Sequence, residues 1–334
     1  MNPNDVLLKV DGLTVEFRGV NGWVRVVEDV SFQVHAGQIV GLVGESGSGK
    51  SVCALALLGL IPAQGGRMSN GRVMFEGADL ATLDERALRR VRGRRIGMVF
   101  QQPIRSLNPA FTIGEQIAET IRRHEQTSRK VAWDRAVGLL DRVHIPDPAR
   151  RAKQFPHEFS GGMCQRAMIA MALSCSPSLL IADEPTTALD VTVQEVILEL
   201  IRELQAETSV AVLFISHDLG VIAEMADDVV VMYAGQVVES ATVEELFTKP
   251  SHPYTAGLIG AVPQVGQRRR LRAIEGTVPD PGDHGAGCRF GPRCDFAVAA
   301  CLDSTPIPLV TVGERHESRC ARTGELSLAG VVVP

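Results

Sequence analysis

Gly44-Glu45-Ser46-Gly47-Ser48-Gly49-Lys50-Ser51 lies between an apolar run, Ile39-Val40-Gly41-Leu42-Val43, and a helix-like one, Val52-Cys53-Ala54-Leu55-Ala56-Leu57-Leu58. A buried strand that ends in a glycine-rich turn and opens a helix aims several backbone N–H groups and the positive end of the helix dipole at one point. That point suits a phosphate. The spacing is that of GxxxxGK[ST], in which Lys50 reaches the β- and γ-phosphates of a nucleotide and the Ser51 hydroxyl ligates Mg²⁺. Gly44, Gly47 and Gly49 remove side chains that would keep the backbone from closing around the anion, and Ser46 and Ser48 complete the loop.

Other segments point their chemistry the same way. Ile96-Gly97-Met98-Val99-Phe100-Gln101 is a strand ending in a glutamine, placed to touch a metal ion or an attacking water. Ser178-Leu179-Leu180-Ile181-Ala182-Asp183-Glu184-Pro185 is a continuous apolar run ending in two carboxylates, the pattern of a buried parallel strand with a ligand site at its carboxyl end. There Asp183 would hold Mg²⁺ through water and Glu184 would polarise the water that attacks a γ-phosphate. Val210 to Ile215 ends at Ser216-His217-Asp218, so His217 falls at a third strand end. Ser160-Gly161-Gly162 opens a second helix whose start is also suited to an anion.

Before the phosphate strand, residues 7–10, 13–17, 24–27 and 30–34 alternate as strands with turn residues between them, which predicts an antiparallel β portion. Phe17 in that portion is the candidate for stacking on a nucleobase and Trp23 the reserve, with simple packing an equal alternative for both. Arg86 to Arg95 mark a solvated helix face and loop. From about 104 to 160 the pattern is helical, with Ile113, Ile117 and Ile121 at spacing four and then Val137, Leu139, Leu140 and Val143.

A chain of 334 residues has room for two domains or for one with an appendage, and its formal net charge of -5 advertises no binding to nucleic acid or to an anionic membrane. No apolar run of about 18 residues appears, and MNPNDVLLKV lacks a signal peptide's basic and apolar regions. The expectation is a cytoplasmic protein that meets a membrane only through a partner, with its seven cysteines reduced.

Taken together these runs resemble the nucleotide-binding subunit of ATP-binding-cassette transporters. GESGSGKS stands for Walker A, Gln101 for the Q-loop glutamine, and FSGGMCQR (159–166) for the signature LSGGQ, with Phe for Leu and Met for Gln. LLIADEP stands for Walker B and the catalytic glutamate, Asp190 of ALD for the D-loop, and His217 for the switch histidine. The tail, with Lys249-Pro250-Ser251-His252-Pro253-Tyr254-Thr255 and GCRFGPRCDFAVAAC (287–301), is similar to the C-terminal extension of dipeptide, oligopeptide and nickel importer ATPases. Between them lies a linker, 264–287, whose Arg268, Arg269, Arg270 and Arg272 read as solvated.

The resemblance implies an α/β P-loop cassette over 1–250, with an antiparallel β subdomain and the helical insert, followed by a small cysteine-containing extension over 251–334. It implies an Mg-ATP-hydrolysing subunit that powers import of peptides or a related small solute. The partners it implies are a second, related cassette, two permease subunits and an extracytoplasmic binding protein, with the chain on the cytoplasmic face of the membrane. In such pairs Ser160, Gly161 and Gly162 of one cassette clasp the γ-phosphate held by the other. The alternatives are a cassette ATPase acting on nucleic acid or ribosomes, and a P-loop kinase or GTPase, which leaves the signature and His217 without a role.

Cys288, Cys294, Cys301 and Cys320 are separated by five, six and eighteen residues. Zinc sites close on tighter pairs, whereas four thiolates on looser turns can wrap a [4Fe–4S] cluster. Zinc with His316 as a ligand and plain reduced thiols remain open on spacing alone; the resemblance favours the cluster.

Overall fold

The computed structural model describes residues 5–20, 22–187, 189–262 and 274–328. Ala188 and the linker arginines Arg268, Arg269, Arg270 and Arg272 lie outside them. The chain divides into two compact units, one of residues 1–7, 35–38 and 82–213, the other of 8–34, 39–81 and 214–334.

The second of these begins with a four-stranded antiparallel sheet in the order Gly22–His35, Val6–Gly19, Gly66–Phe75, Ala78–Asp79. Four short strands were expected before the phosphate strand; two long ones form. The difference lies at Asp11-Gly12, which bulges the strand instead of reversing it. Gly12 takes φ 61°, the pairing with Gly66–Phe75 slips between Asp11 and Thr14, and Gly12 N–H donates to Ser31 Oγ at 2.9 Å. Asp29 likewise has φ 53° and donates its N–H to Thr14 Oγ1. Turn residues in mid-strand therefore bend the strand without ending it.

In the same unit all five residues of Ile39–Val43 are buried, and the strand pairs in parallel with Asp228–Tyr233, from Val40 opposite Asp228 to Val43 opposite Val231. Asp228–Tyr233 returns antiparallel as Gln236–Thr242 through Ala234-Gly235, both at positive φ, the geometry of a two-residue hairpin turn. Beyond this lies the tail. Glu317–Ser318 adds to the sheet edge opposite Glu239 and Ser240, and Cys288 N–H donates to Cys301 O at 2.8 Å, closing the cysteine loop.

The other unit holds the parallel pair Ile96–Val99 and Leu179–Asp183, in register from Ile96 opposite Leu179 to Val99 opposite Ala182. Between them run the helices Ile113–His124, Arg129–Arg142 and Gly161–Ala172, with shorter turns at Pro103–Ser106, Pro148–Arg151 and Pro156–Glu158. Thr112 and Glu115 form a capping box that fixes where Ile113–His124 begins, and Ile113, Ile117 and Ile121 are its buried stripe. On Arg129–Arg142 the buried positions are Ala132, Ala136 and Leu140, continued by Val143; Val137 and Leu139 are only half-buried. Small residues set the stripe there because helices approach one another most closely over alanine. Arg86, Arg89 and Arg90 are exposed on Glu85–Val91, with Arg89 and Arg92 paired to Glu85.

Candidate nucleotide site and cysteine-lined cavity

The phosphate loop is shaped by its backbone. Gly44 has φ 155°, and a Cβ there would sit 2.2 Å from Met232 O, so the strand Asp228–Tyr233 leaves room for glycine alone. Gly49, at φ 100°, precedes the helix Lys50–Leu57 and caps it without a side chain, so the loop's backbone runs straight into the helix's positive end. Lys50 is 4% exposed; its Nζ donates to Gly44 O at 2.7 Å and Glu45 O at 2.9 Å, and lies 3.4 Å from Ser48 Oγ. An ammonium inside the curve of its own loop gives that loop a positive centre. Gly235 N–H donates to Ser48 O at 2.9 Å, tying the loop to the hairpin turn.

In the other unit, Asp183 is buried at the end of Leu179–Asp183, and the next residue, Glu184, has φ 46°. A glutamate in the left-handed region is strained, and such strain gathers at working sites. Glu184 Oε2 accepts from Gln101 Nε2 at 2.8 Å and from Thr187 Oγ1 at 2.8 Å. Gln101 and the acidic strand end are thus in contact. Thr187 was not singled out in the sequence; its spacing of three from Glu184 was the available signal.

Ser160 is exposed and caps Gly161–Ala172, its Oγ accepting from Met163 N–H at 3.3 Å. A Cβ on Gly162 would meet Val193 Cγ1 at 2.8 Å, so the second signature glycine also lets the helix Val191–Thr208 approach. Asp190 caps that helix through Val193 N–H at 2.9 Å, a structural duty in addition to the D-loop position. His217 is exposed just beyond Ala211–Ser216, with its backbone fixed by the Asp218 N–H to Ser216 Oγ bond and by Asp218 capping Leu219–Met225. Phe17 packs its ring against Gly66, and Trp23 lies under the Arg67 guanidinium at 4.1 Å.

Cys53, Cys164 and Cys175 are buried. Burial pushes the Cys53 thiol up to about 12 and raises the other two, the behaviour of inert packing groups. The remaining four behave as a group. Cys288, Cys294, Cys301 and Cys320 line one narrow cavity of about 10 Å³, walled also by His252 and Phe290. Burial raises the Cys288 thiol to about 11 and lifts those of Cys294 and Cys320, with the negative charge of neighbouring cysteines adding to it. Opposing this, nearby backbone N–H groups favour the thiolates of Cys288, Cys294 and Cys320, and at Cys320 the Arg322 N–H donates to Sγ at 3.4 Å.

Among the described residues no three His, Cys, Asp or Glu side chains converge to hold a metal ion. His316, the candidate zinc ligand, is a correction. Its Nε2 is bonded to the buried Glu239 Oε1 at 2.7 Å, joining the Ser251 and His252 N–H groups that the same carboxylate accepts.

What binds the cysteine stretch to the rest of its unit was not foreseen. Arg289, Arg293 and Arg319 each adjoin a cysteine. Arg289 reaches Ala234 O and Glu28; Arg293 reaches Glu45; Arg319 reaches Val237 O at 2.9 Å and Asp29 Oδ2 at 3.1 Å. The repeated Arg-Cys and Cys-Arg pairs were the signal in the sequence. Phe290 completes the contact, with its ring centroid 5.3 Å from those of both Tyr233 and Tyr254.

Residues 27–187 match the ABC transporter family and residues 238–301 the oligopeptide/dipeptide transporter C-terminal region. A Brucella abortus protein named as a peptide import ATP-binding protein is 51% identical over 333 residues, covering 96% of this chain and 98% of that one. A peptide ABC transporter ATP-binding protein of Sinorhizobium fredii is 49% identical over 328 residues, covering 97% and 98%. Among solved structures, a dimeric ATP-binding cassette in a post-hydrolysis state with ADP and phosphate superposes with a TM-score of 0.63 at 27% identity. It covers 71% of this chain and 98% of that one. No helix among the described residues is long and apolar enough to cross a membrane.

Proposed function

The chain belongs to the ATP-binding-cassette transporter ATPases and carries the oligopeptide/dipeptide transporter C-terminal region, and on that premise we propose that it is the ATP-hydrolysing subunit of a peptide importer. The observation that carries this is the span of the likeness: identity of 51% to proteins named for peptide import runs over cassette and tail alike. ATP is the substrate and Mg²⁺ its companion; held near Ser51, Asp183 and Gln101, the ion would supply charge neutralisation at the phosphates.

Each residue has a part in this proposal. Gly44, Ser46, Gly47, Ser48 and Gly49 wrap the phosphates, Lys50 exchanges its loop carbonyls for phosphate oxygens, and Ser51, Asp183 and Gln101 face the ion. Glu184 orients the attacking water, held by Gln101 and Thr187, and His217 contacts the γ-phosphate. Ser160, Gly161, Gly162 and Asp190 meet the nucleotide of a second, related cassette, so turnover requires the pair. Permease subunits hold the pair at the cytoplasmic face, and an extracytoplasmic binding protein delivers the peptide.

The expected outcome of Glu184→Gln is retained ATP binding with turnover reduced on the order of 10²-fold or more, as for loss of a positioned general base. Undiminished phosphate release by that variant would overturn the assignment.

For the tail we propose a [4Fe–4S] cluster on Cys288, Cys294, Cys301 and Cys320. Four sulfurs around one cavity, with Arg322 lining it, its backbone N–H donating to Cys320 Sγ and its charge favouring the Cys294 thiolate, suit a group held by thiolates. A cluster also spreads its ligands wider than the roughly 2.3 Å zinc–sulfur bonds of a single ion permit. When bound, the cluster staples a segment too short to build a core of its own. Anaerobically purified protein should be brown, and Cys294→Ser should lose both colour and iron. A colourless sample with one zinc per chain refutes the cluster.

A further inference from the structure

Glu45 is an odd residue for a loop that binds a triphosphate, because its carboxylate carries the same sign as the ligand. The structure shows how that charge is managed. Arg293 Nη1 lies 3.1 and 3.2 Å from the two Glu45 carboxylate oxygens and Nη2 lies 3.2 Å from Oε2, a forked ion pair. The arginine side chain is 8% exposed and the glutamate 29%. Arg293 is itself fixed on every donor: Nε gives to Glu275 O at 2.8 Å, Nη2 to Gly276 O at 3.2 Å, and Nη1 to Tyr233 Oη at 3.3 Å. Its guanidinium also lies 5.7 and 5.9 Å from the Tyr233 and Phe290 ring centroids.

The backbone of Glu45 is held as well. Its N–H donates to Tyr254 Oη at 2.9 Å, and its carbonyl accepts from Lys50 Nζ. Two of the residue's three polar groups are therefore gripped by the tail and the third by the lysine that is to meet the phosphates.

We propose that the tail is a brace for the phosphate loop, and that Arg293 is a positioning residue for nucleotide binding which acts through Glu45. The proposal rests on Gly44–Ser51 being the ATP site. Arg293 cancels a negative charge that would otherwise face the incoming triphosphate, and it fixes the carbonyl from which Lys50 must be released. A tail that served only to carry a metal group or to meet a permease would have no need to place an arginine on the phosphate loop.

The test uses the full chain with its partner subunits, measuring binding of a fluorescent ATP analogue together with KM and kcat for ATP. Arg293→Ala is expected to weaken ATP binding and raise KM about tenfold with kcat within about twofold, as for loss of one charge-assisted pair. Arg293→Lys, which keeps the charge and loses the fork, falls between. Combining Arg293→Ala with Glu45→Gln removes the unpaired charge and returns KM to within about twofold of Glu45→Gln alone.

If the double variant is as weak as Arg293→Ala, the arginine merely holds the tail together and the proposal fails; it fails also if Arg293→Ala binds ATP like the unaltered protein. Should Arg293→Ala not fold, Arg293→Gln takes its place, keeping amide donors toward the 274–276 carbonyls without the charge, and an unchanged KM overturns the proposal. Lys50→Ala separates the two levels: if it binds ATP normally, the loop is not the ATP site at all.

Discussion

The chemistry of the loop Gly44–Ser51 is gathered from neighbours in the chain, with Lys50 folded onto carbonyls five and six residues back, although distant residues also hold it. The cysteine stretch keeps its shape through arginines that reach partners as far as 290 residues away. The first is therefore written as a contiguous pattern and the second as scattered residues that make sense only when folded. They also fail differently. A change in the loop removes chemistry and leaves the fold, whereas a change in the tail loosens the packing on which the loop leans.

The largest expected effect tests the loop's half of this contrast. Lys50→Ala removes the cation inside the curve of the loop. Losing a preorganised donor to a charged transition state costs on the order of 10³-fold in turnover, while the denaturation midpoint should barely move. A large fall in stability would show that Lys50 is a structural strut and that the two regions differ less than their contacts suggest.

The next effect tests the tail. Phe290 is 4% exposed and meets Tyr233, Tyr254 and His252 edge-on or tilted. Phe290→Ala should destabilise by about 3 kcal/mol, read as a lower denaturation midpoint, and on the proposed cluster it should also lower iron content, because Phe290 walls the cysteine cavity. If the tail were a passenger, unfolding would split into two transitions and ATP turnover would be untouched. A single earlier transition with impaired ATP binding would show that loop and tail are one cooperative piece.

The same contrast explains what the sequence disclosed. Phosphate chemistry needs glycines, a lysine and a hydroxyl at fixed spacing on one strand–turn–helix, so Gly44 to Ser51 declared itself. The strand end at Asp183 and Glu184 was legible too, because a continuous apolar run stopped by two carboxylates marks where a buried strand leaves the core. Asp11-Gly12 misled, since a bulge and a turn draw on the same residues. Arg289, Arg293 and Arg319 were passed over because their partners, Glu28, Glu45 and Asp29, lie more than two hundred residues away, beyond any local period. The capping duty of Asp190 was hidden by its more conspicuous motif.

The smallest effect concerns the second thread between the regions. Tyr254 is fully buried, and its hydroxyl accepts from Glu45 N–H at 2.9 Å while its ring sits 4.7 Å from that of Tyr233. Burial raises its pKa well above the ordinary tyrosine value, so the hydroxyl stays neutral and acts as a steady acceptor across the working pH range. Tyr254→Phe keeps the ring in its cluster and deletes only that acceptor, leaving a partly buried backbone N–H unpaired. Such a loss costs about 1 kcal/mol, hence a shift of a few degrees at most in the melting temperature and a change of roughly fivefold or less in ATP affinity. Because the charge of Glu45 remains paired with Arg293 in this variant, its effect on ATP should be smaller than that of Arg293→Ala. If Tyr254→Phe proves the more damaging, the tail holds the loop by its backbone rather than by its charge, and the electrostatic half of the brace has to be given up.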